Sequence, residues 1–412
     1  MANAVSNAPD AVTAITHAKQ STLGAVVMGG DYRALGLVRS LGRCGVPVFV
    51  INQADQRIAG FSRYASRVLF YPDWEQGDAV DFLLKTGLKY NLNHWLLFPT
   101  ADDSVRLVST HHERLSGTFQ LTVPPWEILQ HAVDKRLMHE IADKVGVNHP
   151  KTIYPRSRDD LARSGLTFPV IVKPITREQF NKLTVDKAWP AENMNSLVAL
   201  YDEACRLLPP EKLMVQEMIP GGGESQFSYA AVCKDGRPLV SLVARRTRQF
   251  PIDFGRASTF VETIDEPGVI EPSERLLAAV KYTGLVEVEF KRDPRTGEFK
   301  LLDINPRVWG WYSLCETAGV NFAYLLWLLY QGKPLPEVRL RPNVRWMRLT
   351  TDLLAAFSEM RHTSLTVREY LRSLRQPRTT AIFSSDDLLP ALLEMPLLFF
   401  LFVKRLFRGK GI

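Results

Sequence analysis

Asp303, Asn305 and Arg307 stand two residues apart in the run LLDINPR, and Glu287 and Glu289 repeat that spacing in LVEVEF. Alternate side chains of a strand share a face, so each run offers a row of polar groups on one side of a sheet. The segment between them, KRDPRTGE, carries Asp293, Pro294 and Gly297, which are turn residues. A hairpin symmetric about Thr296 sets Glu289 opposite Asp303 and Glu287 opposite Asn305. Like charges opposed across a ladder are unfavourable by roughly 0.2–1 kcal/mol, unless a cation lies between them. Two carboxylates and an amide oxygen are hard ligands that suit Mg²⁺, which keeps waters and shares its shell with phosphates. Arg307 could then grip a phosphoryl oxygen. The alternative is a solvated polar face on which Lys291, Lys300 and Arg307 neutralise the acids.

Lys173 ends the apolar strand FPVIVKP, a costly place for an ammonium unless an anion meets it. A phosphate oxygen fits, and so does a structural ion pair. Lys135 opens a helix directly after Asp134, where a cation opposes the helix dipole unless it reaches for a ligand. VQEMIPGGGE runs a strand into three glycines, exposing backbone groups that could read a flat base; a plain turn is the simpler alternative. No GxxxxGK[ST] occurs, so a nucleotide site would not be a P-loop. No HExxH or spaced Cys/His set is present, and His111, His112 and Glu113 read as a solvated helix face.

The elements that must position these groups follow from periodicity. LGAVVMGG, a helical DYRALGLVRSLGRCG and VPVFVI form a strand–helix–strand unit. A third strand, HWLLFPT, ends at Asp102 and Asp103 before the helix VRLVSTHHERL, giving an α/β domain over 23–125. One helix is expected from about Pro125 through DKRLMHEIADKVGV. After it the pattern turns β-rich, with antiparallel strands QFSYAAVC and LVSLVARR joined by an Asp-Gly turn. The reading is α/β followed by α+β, with residues 1–22 a loose tail and a helical extension over 334–412.

In their order, Lys135, FPVIVKP, VQEMIPGGGE, LVEVEF and LLDINPR resemble the ATP-grasp superfamily, carboxylate–amine ligase type, and the first domain is similar to the α/β domain that precedes the grasp. The resemblance implies an ATP-grasp fold of two α+β subdomains over 126–333. It implies that Lys135 and Lys173 hold ATP phosphates, that Gln216, Glu217, Met218 and Ile219 form the hinge reading adenine, and that Glu224 binds ribose. Glu289, Asp303 and Asn305 match the magnesium set, Mn²⁺ being the alternative ion, and Arg307 the arginine beside the transferred phosphoryl group. Asp303 departs from the more usual Glu. ITREQFNKLTVDKAW departs further, lacking a glycine-rich phosphate loop, and Arg177 and Lys182 are the side chains that could compensate. The implied chemistry is ATP-driven activation of a carboxylate as an acylphosphate, which an amine attacks to give an amide. Arg245, Arg246, Arg248 and Arg256 in RRTRQFPIDFGRAST lie near the family's acceptor pocket or form an exposed basic strand.

Composition narrows the rest. A net charge of +7 with dispersed cations suits phosphate-bearing small molecules or an anionic membrane surface at least as well as nucleic acid, and no nucleic-acid partner is expected. Four scattered cysteines without a CxxC pair suggest reduced thiols and a cytoplasmic protein. The apolar run ending in LFFLFVKRLFRGK is too short to span a bilayer, which needs about 20 residues. The segment 388–410 could pack internally, touch the inner membrane face peripherally or dock on a partner protein. Two other function classes stay open: a nucleotide-binding assembly or regulatory module without turnover, and an NAD-dependent oxidoreductase, although VVMGGDYRALG does not fit GxGxxG.

Overall fold

The computed structural model describes residues 23–53, 55–71, 73–74, 77–176, 181–252, 257–362 and 365–407, with side chains to 404. The expectations for the tail 1–22, Arg177 and Arg256 fall outside these residues. The four cysteines are unpaired.

The first domain is a five-stranded parallel sheet of β1 (Ala25–Met28), β2 (Val48–Asn52), β3 (Ala65–Phe70), β4 (Leu96–Pro99) and β5 (Gln120–Leu121), in the order β3-β2-β1-β4-β5. β1 and β4 are buried throughout, as expected of parallel strands covered on both faces. HWLLFPT is therefore the fourth strand in the chain, not the third. The missed one, β3, lies at the sheet edge, where ASRVLF keeps only a weak apolar signal because most of it is exposed.

The single helix expected after Pro125 is two, Trp126–Val133 and Lys135–Lys144. Asp134 breaks it: its carboxylate accepts from the backbone N–H groups of Arg136 (2.8 Å) and Leu137 (3.3 Å), capping the second helix and setting Lys135 at its first position.

Two further sheets follow. β6 (Thr152–Ile153), β7 (Val170–Pro174), β8 (Trp189–Ala191) and β9 (Leu213–Glu217) form an antiparallel sheet in the order β6-β9-β7-β8. The larger sheet runs β14-β13-β10-β11-β12-β15-β16. Its strands are β10 (Gln226–Lys234), β11 (Arg237–Phe250), β12 (Ala257–Thr263), β13 (Gly284–Arg292), β14 (Phe299–Asn305), β15 (Arg345–Met347) and β16 (Thr379–Thr380). β10 and β11 meet at Asp235 and Gly236, both with positive φ, 51° and 79°, as a tight hairpin turn requires. The segment beyond 333 is mostly helical, and it also supplies β15 and β16 to this sheet.

β13 and β14 pair in the expected register, Glu289 opposite Asp303 and Glu287 opposite Asn305. The turn is held by Asp293, whose buried carboxylate takes the Arg295 guanidinium at 2.7 Å and Lys300 at 3.2 Å; these hydrogen bonds keep its pKa well below the usual carboxylate range.

Candidate active site

A cleft of about 890 Å³ opens between the β6–β9 sheet and the larger sheet. Lys135, Lys173, Gln216, Glu217, Met218, Ile219, Glu224, Glu289 and Asp303 all line it, drawn from the capped helix, β7, β9, the glycine turn, β13 and β14. Asn305 and Arg307 line a second cavity of about 230 Å³, together with Asp102, Asp103 and Arg106 of the first domain. Lys135 and Asp303 border both spaces.

Both lysines of the cleft wall are held by neighbouring side chains. Lys135 Nζ donates to Asp303 Oδ1 at 2.7 Å. Lys173 Nζ donates to Gln216 Oε1 at 2.7 Å, and the Gln216 amide nitrogen donates to Thr152 Oγ1 at 2.8 Å. Gln216 is thus a buried brace of the small sheet. Glu217 turns outward to accept from the Thr167 amide at 2.9 Å, and the Met218 N–H bonds the Pro169 carbonyl at 2.9 Å. What this segment offers a flat base is therefore its backbone past Met218 and the apolar sides of Met218 and Ile219. Glu224 is exposed at the end of the turn and accepts from the Gly222 N–H at 2.9 Å.

Around the carboxylate hairpin, one Asn305 amide nitrogen donates to Glu289 Oε1 at 2.8 Å and to Glu287 Oε2 at 3.0 Å. Its oxygen accepts from Arg307 Nη2 at 3.2 Å. Arg246 approaches Glu289 at 3.4 Å, and Trp311 Nε1 donates to Glu287 at 2.8 Å. Burial, reinforced by the charge of Glu289, pushes the Glu287 carboxyl up to about 7. Two acids side by side with Arg246 as a distant counter-charge are what a hard cation would relieve. Among the described residues no three His, Cys, Asp or Glu side chains form a metal cage. The donor set fits an ion that takes Glu289, Asp303 and a turned Asn305 oxygen and completes its shell with phosphate oxygens and water.

Arg307 is almost buried, and its Nε donates to Asp102 at the start of the helix Asp102–Thr110. Burial alone would lower its pKa; Asp102 outweighs that and raises it, so the guanidinium stays charged.

Several side chains differ from expectation. Lys182 points away from the cleft and pairs with Glu203 at 3.1 Å, because its helix packs on the outer helix Met194–Leu207. Of Arg245, Arg246 and Arg248 on β11, only Arg246 lines the cleft: Arg245 pairs with Glu262 and Arg248 with Asp352 at 2.7 Å. Lys291 is the residue that sequence reasoning undervalued. It continues the 287, 289 face of β13, and its ammonium donates to the carbonyls of Ile219 (2.8 Å) and Gly221 (2.6 Å), tying the glycine turn to the hairpin. Asp102 carried no signal beyond its place at a helix start.

Residues 210–351 match the model of a family described as "ATP-grasp in the biosynthetic pathway with Ter operon". D-aspartate ligase from Enterococcus faecium (strain Aus0004) is 21% identical over 317 residues, 72% of this chain and 74% of that protein. The crystal structure of L-amino acid ligase from Bacillus licheniformis superposes with a TM-score of 0.61 at 16% identity, covering 78% of each chain. That of phosphoribosylglycinamide synthetase from Anaerococcus prevotii gives 0.59 at 15%, covering 78% of this chain and 79% of the other. The fold is thus that of these ligases over 78% of the chain, and the stretch that matches the ATP-grasp family model includes the carboxylate hairpin.

Proposed function

We propose that this protein is an ATP-dependent, Mg²⁺- or Mn²⁺-requiring ligase that joins a small-molecule carboxylate to an amine in the cytoplasm. The observation that carries the reading is the meeting of two cavities at Lys135 and Asp303, with Arg307 and Asn305 on the far side. The larger space suits a nucleotide whose base lies against Met218 and Ile219, whose ribose reaches Glu224, and whose phosphates run along Lys173 to Lys135. The smaller one suits the carboxylate and the amine.

In the first step a carboxylate oxygen attacks the γ-phosphorus and ADP leaves. Lys135, Lys173 and Arg307 offset charge on the transferring group, where most catalysis of phosphoryl transfer lies. A divalent ion held by Glu289, Asp303 and Asn305 would supply further charge neutralisation there. In the second step the amine nitrogen attacks the acyl carbon, phosphate leaves, and the nitrogen gives up a proton. Asp103 lines the small cavity, accepts from the Ser104 N–H at 2.7 Å, and has its pKa raised by burial, which suits it to take that proton. The names of two relatives, D-aspartate ligase and L-amino acid ligase, make amino acids the first compounds to try as both reactants.

The test measures ADP and phosphate release with Mg²⁺, ATP and a panel of carboxylates and amines. Release should require both reactants, and Asp303→Asn should reduce it about 100-fold or more and weaken Mg·ATP binding. No release with any pair, combined with unchanged ATP binding by Asp303→Asn, would sink the reading; ATP bound but never consumed would favour a regulatory module.

A further inference from the structure

Among the described residues, the large hydrophobic side chains left exposed are concentrated in one part of the molecule: outside residues 349–402 there are only Val68, Phe70, Leu88 and Leu340. The helix Leu349–His362 packs on β11 and β12 through Ala355 and Ala356, while Leu353, Leu354 and Phe357 face out, each at least 50% exposed. The helix Leu389–Phe407 packs Leu393 and Leu397 on the core, and Leu392, Phe399 and Phe400 face out. Thr350 donates to Glu394 at 3.0 Å, joining the two helices near their starts. Contiguous apolar surface beyond a few hundred Å² is rare on a soluble monomer and marks a docking site.

The charges around these faces select the occupant. Arg361, Arg368, Arg372 and Arg375, which lie in the chain between the two helices or at the end of the first, are all exposed, and the Arg361 guanidinium lies 4.2 Å from the Phe357 ring centre. Arg368 and Arg372 form a stripe next to Val367 and Leu371 on one short helix. The acids among them are engaged or half-buried: Glu369 caps its own helix, Glu394 holds Thr350, and Glu359 is half-buried with its pKa raised by burial. Exposed aromatic and leucine side chains beside arginines are what an amphipathic helix needs to lie in a lipid interface. Two copies joined through this face would set arginines against arginines. No described helix is long and apolar enough to cross a membrane, and the last one carries Pro396 in its interior.

We propose that the helices Leu349–His362 and Leu389–Phe407 form one face that docks the protein on an anionic phospholipid bilayer, lying in the interface without spanning it. The proposal is independent of turnover. Full-length protein is sedimented with vesicles of phosphatidylcholine alone and of equal parts phosphatidylcholine and phosphatidylglycerol. Binding to the anionic vesicles should be at least tenfold stronger and should weaken with salt. Replacing Arg368 and Arg372 by Gln should weaken it about 30-fold, at roughly 1 kcal/mol for each cation. The double variant Phe399→Asp, Phe400→Asp should abolish it, with ATP binding and sedimentation velocity unchanged to show an intact fold. No vesicle binding, or equal binding by the variants, overturns the proposal. So does a concentration-dependent dimer that the aspartates disrupt without any vesicle binding, which would assign the face to a second copy.

Discussion

Arg307 is gripped from two sides, by Asp102 of the first domain and by Asn305 Oδ1 at 3.2 Å. A lysine there keeps the charge and loses the fork that can hold a carboxylate and a phosphoryl oxygen together. Arg307→Lys should therefore lower kcat about 100-fold and leave the ATP Kd within about threefold; steady-state kinetics and calorimetry separate the two, and an equal loss in both would make Arg307 a nucleotide-binding group instead. A second prediction concerns His139, stacked on His149 at 4.2 Å with its Nδ1 at 2.8 Å from the Tyr154 hydroxyl. Burial, helped by His149 and the lysines, depresses its pKa to about 3, against about 6.5 in the unfolded chain. Between those values the native state binds fewer protons than the unfolded one, so this contribution is present above pH 6.5 and is lost as pH falls towards 3. His139→Phe keeps a ring against His149 and removes the titration. Urea midpoints at pH 7 and 5.5 should show the variant losing about 1 kcal/mol less than the parent over that interval. The residues of LLDINPR were legible because a strand repeats every two residues. Their partners were not: Lys135 lies 168 residues from Asp303, and Asp102 lies 205 from Arg307, separations that leave no local pattern.

At the scale of elements, the hairpin β13–β14 and the glycine turn act as one piece because Lys291 holds the turn's carbonyls. Burial lowers the Lys291 pKa, with Glu224 and Asp293 acting in the opposite direction, and hydrogen bonds from a charged donor are worth roughly 1.5–3 kcal/mol each. Lys291→Met should leave the strand pairing intact, since the ladder uses backbone groups, and should free the turn that borders the nucleotide cleft. The ATP Kd is expected to rise about tenfold; an unchanged Kd would mean that the turn holds its shape without the lysine. Local chemistry also sorts which elements the sequence revealed. The hairpin register followed from turn residues centred on Thr296, and β10–β11 from an Asp-Gly pair. The edge strand β3 escaped because solvent, not apolar packing, meets most of its side chains. The helix break at Asp134 escaped because a capping aspartate inside a helical pattern looks like any exposed acid until its acceptor role is seen.

For the molecule as a whole, the question is what holds the C-terminal extension against the first domain. Arg39 and Asp387 are both buried, 3% and 2% exposed, and meet at 2.9 Å. The remaining Arg39 donors take the carbonyls of Ile382 (2.7 Å) and Asp387 (2.9 Å), while Asp387 also accepts from the Ser62 hydroxyl (2.6 Å) and the Arg63 N–H (2.9 Å). Nothing near either residue in the sequence announces a partner 348 positions away, which is why the extension could be read as helical but not as anchored. Burial works against the charge on Arg39, and the Asp387 carboxylate opposes that loss. Taking away one member of such a pair strands the other, so Asp387→Ala should lower the unfolding free energy by about 3–5 kcal/mol. Replacing both members, Arg39→Leu with Asp387→Leu, removes the stranded charge and should recover most of that loss. Urea unfolding measures both, and limited proteolysis should cut the Asp387→Ala protein first between residues 377 and 388, where the extension leaves the sheet. A single variant within about 1 kcal/mol of the parent would show that the apolar contacts of the last helix hold the extension without the ion pair.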